Sequence, residues 1–167
     1  TLIVGKQRSQ GNLVTEDMIR TLVHDAVGEG ALDSQEALYI EKIFEFGNKS
    51  LRDIMRPRSD IQFLSADLPV AGLIAQIKAT RQSRYPVFKG HRDTILGILH
   101  TRDLLGVDLA RLERDPQGFR KLLRQPNFFP ESKPAVELFH DFRQRKLSFG
   151  LIVDEYGGVT GLVTMED

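Results

Sequence analysis

The chain has 167 residues, 41% hydrophobic and 28% charged, the composition of a folded globular protein. Lysine plus arginine and aspartate plus glutamate both number 23, so no global field draws it to nucleic acid or an anionic membrane, and any anion site must be local. It has no cysteine for disulfides or thiolate metal sites, its four histidines lack ligand spacing, and no apolar run reaches the ~18 residues a membrane span needs. It opens without Met or a signal peptide and stops at what reads as a helix entrance, so an excised piece of a longer protein is expected.

Taken in order, Thr15 and the apolar stripe Met18, Ile19, Leu22, Val23 and Val27 predict a helix over 15–27, broken by Gly28 and Gly30. Asp33 with Glu36 is a capping-box pattern for a second helix, whose apolar face is widened by Tyr39, Ile43 and Phe46 and asks for a partner such as a second subunit. Ser50 with Asp53 repeats the capping pattern before a short helix ended by Pro57. A strand is expected at Ile61–Leu64, and a helix opened by Asp67 and Pro69 with Val70, Leu73, Ile74 and Ile77 inward. Strands at Tyr85–Phe88 and Ile95–Leu99 follow, then a helix from about Arg102. A charged, partly helical connector occupies 106–127.

The order then recurs: strand Phe128-Phe129, a helix led by Pro134, strand Phe149–Val153, a hairpin, strand Val159–Val163 and a helix start. Residues 84–103 (RYPVFKGHRDTILGILHTRD) align without a gap on 148–167 (SFGLIVDEYGGVTGLVTMED). Tyr85 meets Phe149, Val87 meets Leu151, Gly97 meets Gly161 and Asp103 meets Asp167. Upstream, a shift of one pairs Pro69 with Pro134. Each copy is ~50–60 residues and marginal alone, so two are expected to pack sheet to sheet. The fold class is therefore α+β (α/β by some schemes): two pseudo-symmetric βαββα repeats preceded by two helices. The divisions are a helical linker (1–49), first repeat (50–110), connector (111–127) and second repeat (128–167), truncated before its last helix.

Gly161-Leu162-Val163-Thr164-Met165-Glu166-Asp167 carries the Gly-hydrophobic-hydrophobic-Thr-x-x-Asp pattern of CBS domains. Together with Asp53–Ile61 (DIMRPRSDI) and the approach Asp154-Glu155-Tyr156-Gly157-Gly158, it resembles the CBS pair, or Bateman module, of the CorC/HlyC hemolysin-like proteins and their CNNM relatives. The resemblance covers roughly 13–167 and implies a cytosolic portion of a cell (inner) membrane protein, dimeric through its CBS repeats and joined to a transmembrane domain. It implies an adenine nucleotide, ATP or AMP with Mg²⁺, in the cleft between repeats, regulating divalent cation (Mg²⁺/Co²⁺) transport.

Thr164 and Asp167 admit two readings. They form a complete helix cap. They also put a carboxylate able to take both ribose hydroxyls beside a helix N-terminus suited to phosphate. The resemblance adds Arg84 for the phosphates and the groups around Met55–Ile61 for the base. Ile61, Arg58 and Tyr85 complete the candidate nucleotide set. In the first repeat His100 stands where the second has Thr164, and the hydroxyl of Thr101 falls one position late, so Thr101 and Asp103 make a second, weaker candidate site. Asp154 to Gly158 reads foremost as a hairpin needing positive φ. No GxSxG, HExxH, GxxxxGK[ST] or GxGxxG motif occurs, so neither an enzyme nor a protein metal site is expected. The alternative function is a ligand-free dimerisation scaffold of the same membrane protein.

Overall fold

The computed structural model describes residues 14–166, in two units divided after Asn48. In the first, the Met18 amide donates to Thr15 Oγ1 at 3.3 Å to open α1 (Glu16–Gly28). Asp33 and Glu36 form the reciprocal capping box that opens α2 (Ser34–Gly47). Gly30 takes φ +74° in the link, a conformation an L side chain resists. Arg20 ties the helices together by pairing with Glu41 and lying 5.0 Å over the Phe44 ring. Neither helix buries a residue, and the broad apolar face expected of α2 is exposed at Tyr39, Ile43 and Phe46.

The second unit begins with the Ser50–Asp53 capping box and α3 (Leu51–Ile54). Then come β1 (Arg56–Pro57), a 3-10 turn at Arg58–Asp60, β2 (Leu64–Ser65), α4 (Val70–Thr80), β3 (Arg84–Lys89) and β4 (His91–His100). A 3-10 turn at Thr101–Leu104 leads to α5 (Leu109–Arg114), α6 (Pro116–Lys121), β5 (Phe128–Pro130), α7 (Ala135–Arg145), β6 (Phe149–Val153) and β7 (Val159–Thr164). Two expectations need correction. The strand at Ile61–Leu64 contracts to Leu64–Ser65, because Ile61 is spent closing the 3-10 turn through its amide to the Arg58 carbonyl. The helix expected from Arg102 is one 3-10 turn, and the α-helix starts only at Leu109, where Asp108 caps it.

The strands form two sheets, β2-β3-β4 and β1-β7-β6-β5. Strand alternation divides their side chains between two kinds of core. One face of the first sheet sends Leu64, Tyr85, Val87 and Leu99 against α4, α5 and α6. The matching face of the second sends Phe129, Ile152 and Val163 against α7 and Leu51 of α3. The remaining faces meet each other through Phe63, Ile98, Leu151, Val159 and Leu162, the sheet-to-sheet core that the repeat called for.

One strand is exchanged. β1 precedes the first repeat's sheet yet pairs antiparallel with β7, Arg56 opposite Leu162 and Pro57 opposite Gly161. Arg124 does the reciprocal thing, exchanging both backbone hydrogen bonds with Ile98 of β4 at 2.9 Å. These crossings explain the aligned glycines. A Cβ on Gly161 would stand 2.8 Å from the Arg56 carbonyl oxygen, and one on Gly97 2.8 Å from that of Arg124.

The gapless alignment, correct for β4 on β7, is wrong by one residue for β3 on β6. Tyr85 lies opposite Leu99 and Val87 opposite Gly97, whereas Gly150 lies opposite Val163 and Ile152 opposite Gly161. Tyr85 therefore corresponds to Gly150, and Arg84 to Phe149. The two hairpin turns differ in length, and a slip of one in a strand exchanges its faces. Space explains the partner: a Cβ on Gly150 would be 2.7 Å from the Phe129 ring, which fills the core there.

Candidate functional site

The exchange of strands and the facing sheets leave a cleft of about 180 Å³ lined by residues of both repeats. The end of β7 gives Thr164 and Leu162, the start of β3 gives Arg84 preceded by Gln82 and Ser83, and the segment from β1 to β2 gives Arg56, Asp60, Ile61 and Gln62. Phe149 closes the wall. Ile61 is 5% exposed, so it offers an apolar edge rather than a free side chain. Arg84 Nη2 donates to Ser148 Oγ at 2.9 Å, which orients the guanidinium across the boundary between the repeats. Hydroxyl, amide and guanidinium groups around an apolar floor can hold a ligand carrying both an aromatic ring and anionic oxygens.

Thr164, Arg84 and Ile61 thus come to one cleft from three distant parts of the sequence. Asp167 lies outside the described residues. Two other candidates are placed elsewhere. Tyr85 is fully buried in the helix-facing core; its hydroxyl lies 2.7 Å from Thr80 Oγ1 and accepts from the Gln82 amide at 2.8 Å. There it closes the α4–β3 turn. Arg58 pairs with Asp93 of β4 and donates to the Val159 carbonyl at 2.8 Å. Asp93 also accepts from the Val159 amide at 2.9 Å. The Arg58 hydrogen bond is the main reason the Asp93 carboxyl is held below its ordinary range, opposed by desolvation and helped by the amide. Arg58 is a clasp between the sheets.

The second candidate pair does not assemble either. The Thr101 hydroxyl donates to the Ser83 carbonyl at 3.3 Å. Asp103 is gripped by Arg124 through Nε and Nη2, both at 2.8 Å, a bidentate pair that lowers the Asp103 pKa. The loop 154–158 is the hairpin expected: Asp154 Oδ1 accepts from the Tyr156 and Gly158 amides, and Gly157 takes φ +82°. Among the described residues no three His, Asp or Glu side chains converge as metal ligands. Sequence reasoning missed Gln62, Gln82, Ser83 and Phe149. Phe149 alone carried a signal, as the repeat counterpart of Arg84, and the slipped alignment hid it.

The CBS domain profile matches residues 51–110 and 121–167. The magnesium and cobalt efflux protein CorC of Pasteurella multocida is 35% identical over 158 residues, 95% of this chain and 52% of that protein, so the chain spans about half of this curated relative. The solved CBS domain of a bacterial CNNM/CorC family Mg²⁺ transporter superposes with TM-score 0.78 at 33% identity, covering 92% of this chain and 93% of that one. A CBS domain of the same family in complex with ATP gives TM-score 0.69 at 34% identity, covering 79% and 92%. With both repeats matched in sequence and in fold, the chain belongs to the CBS-domain family, as a CBS pair of the CorC/HlyC, CNNM-related type.

Proposed function

We propose that this CBS pair is a non-catalytic regulatory module that binds an adenine nucleotide, ATP or AMP, in the cleft between Arg84, Ile61 and Thr164. The observation that carries the reading is the convergence of those three residues on one cleft lined by both repeats. Ile61 meets the base, Thr164 and Asp167 the ribose, and Arg84 the phosphates. A Mg²⁺ ion is held mainly by the phosphates, since Asp60 is the sole carboxylate among the described lining residues. The ATP complex of a 34%-identical relative supports the assignment. Because the ligand bridges the repeats, its binding favours one closure of a homodimeric module over another. That difference regulates divalent cation (Mg²⁺ or Co²⁺) movement by a membrane domain of the full-length protein, with this module on the cytoplasmic side.

The test is calorimetric titration with ATP, with and without Mg²⁺, and with AMP. One nucleotide per chain is expected, weakened about tenfold or more in Arg84→Ala and in Thr164→Ala. A second reading, the ligand-free dimerisation scaffold, draws on the hydrogen bond that already occupies Arg84 with Ser148. It predicts no saturable heat with any nucleotide and only stability losses in the two variants.

A further inference from the structure

The loop from β2 to α4 and the loop from β5 to α7 are the same turn built twice. The Ala66 amide donates to the Phe88 carbonyl at 2.8 Å, as the Glu131 amide does to that of Val153 at 3.2 Å. The Leu68 amide donates to the Ser65 carbonyl as that of Lys133 does to Pro130. In the second repeat this turn is occupied. The first two amides of α3 dock on it, Leu51 donating to the Lys133 carbonyl at 2.9 Å and Arg52 to the Glu131 carbonyl at 3.0 Å. The amide of Ala135, which opens α7, donates to the Lys49 carbonyl at 2.9 Å, and Arg52 pairs with the Glu131 carboxylate.

In the first repeat the matching helix is α6. Counting back from the crossing residues Arg124 and Arg56 puts Phe119 in the place of Leu51 and Arg120 in that of Arg52. Phe119 joins the core with Leu64 and Leu73, but its amide does not reach the turn. α6 opens early, at Pro116, and spends the Phe119 amide on the Asp115 carbonyl. Among the described residues no amide donates to the Leu68 or the Ala66 carbonyl, and the Glu113 side chain takes the Val70 amide that opens α4. A pocket of about 180 Å³ is left there, floored by Val70, Leu73, Leu112 and Phe119. Ala66 stands where the second repeat has Glu131. Arg120 on the rim therefore lacks an ion-pair partner among the described residues, as does Lys89 beside the same pocket. Open carbonyls and unpaired cations around an apolar floor suit a ligand that brings N–H donors and a carboxylate together.

We propose that this pocket receives a short acidic segment of a partner protein, held through its main chain. Two successive amides meet the Leu68 and Ala66 carbonyls, and a carboxylate meets Arg120. The chain's own Leu51 and Arg52 make the main-chain half of this recognition in the second repeat. The acidic half follows from alanine standing in place of Glu131. The pocket shares no lining residue with the nucleotide cleft, so the two sites stand or fall separately.

The probes are two synthetic pentapeptides, followed by amide NMR shifts of the isotope-labelled protein. One is acetyl-KSLRD-amide, the sequence of Lys49–Asp53, and the other is acetyl-KSLED-amide, the same segment with Arg52→Glu. The acidic peptide is expected to shift the Ala66, Leu68 and Val70 amides saturably and to bind at least about threefold tighter than the arginine peptide. In Arg120→Glu, where the exchanged side chain is exposed, the order of the two peptides should reverse. No saturable shift with the acidic peptide, or an unchanged order in Arg120→Glu, overturns the site. Shifts centred on Leu51 and Ala135 mean that the peptide displaces α3, and shifts centred on Ser148 and Thr164 that it enters the nucleotide cleft; either result overturns it too.

Discussion

Asp93→Ala removes the clasp between the two sheets, and its cost follows from what is left behind. Asp93 accepts from Arg58 and from the amide of Val159, a residue only 1% exposed. An orphaned buried amide costs about 1–3 kcal/mol. Arg58 and Asp93 keep 33% and 30% of their side-chain surface, so the ion pair itself adds less than about 1 kcal/mol. The expected loss is about 2 kcal/mol, read in urea as a midpoint about 1 M lower with an unchanged slope. Asp93→Asn keeps an acceptor for the amide and should lose about half as much. The wild-type contribution also depends on pH. Because the folded-state pKa of Asp93 is lowered, its stabilisation is complete above the ordinary aspartate value and fades as pH falls through the lowered one. A loss below about 0.5 kcal/mol in Asp93→Ala, or Asn no better than Ala, would refute the clasp.

Tyr85→Phe should cost about 1–2 kcal/mol by leaving the Gln82 amide without its acceptor, while Thr80 keeps its bond to the Gln76 carbonyl, with nucleotide affinity unchanged; a selective affinity loss would restore Tyr85 to the site. Gly161→Ala forces a methyl against the Arg56 carbonyl and should destabilise by about 1–3 kcal/mol in thermal or urea unfolding, while the exposed Gly47, with nothing near its missing Cβ, should tolerate the same change. Burial, then the Arg124 and Arg84 charges, hold His100 below its ordinary 6.5, with Asp103 pulling the other way and Arg102 adding to the depression. The unfolded chain then protonates first, so stability should decline as pH drops below that value, and His100→Gln should flatten the decline in urea midpoints measured across it.

The repeat, the capping boxes at Asp33 and Ser50 and the glycines at 97 and 161 were legible because each depends on residues close in sequence or on a fixed spacing. Thr164, Arg84 and Ile61 could be named as candidates through the family pattern, but only the folded chain brings them to one cleft. What failed was long-range. Nothing near Arg58 announces Asp93 as its partner, and nothing near Asp103 announces Arg124. The slipped register of β3 on β6 hid the correspondence of Arg84 with Phe149, because an alignment cannot see that two hairpin turns differ in length. The exchange of β1 was invisible for a similar reason: two residues, one of them proline, carry no strand periodicity.

That short exchanged strand fixes an order of events during synthesis. Residues 51–57 leave the ribosome early, yet Leu51 and β1 find their core and sheet only when α7, β6 and β7 have emerged. Until then the apolar Leu51 and the open edge of β1 have no native neighbour, while the first sheet with α4 to α6 can already close on its own core. The nascent chain must therefore carry an unfinished segment ahead of a finished one, and the later-made β6–β7 hairpin is what locks that earlier segment in place.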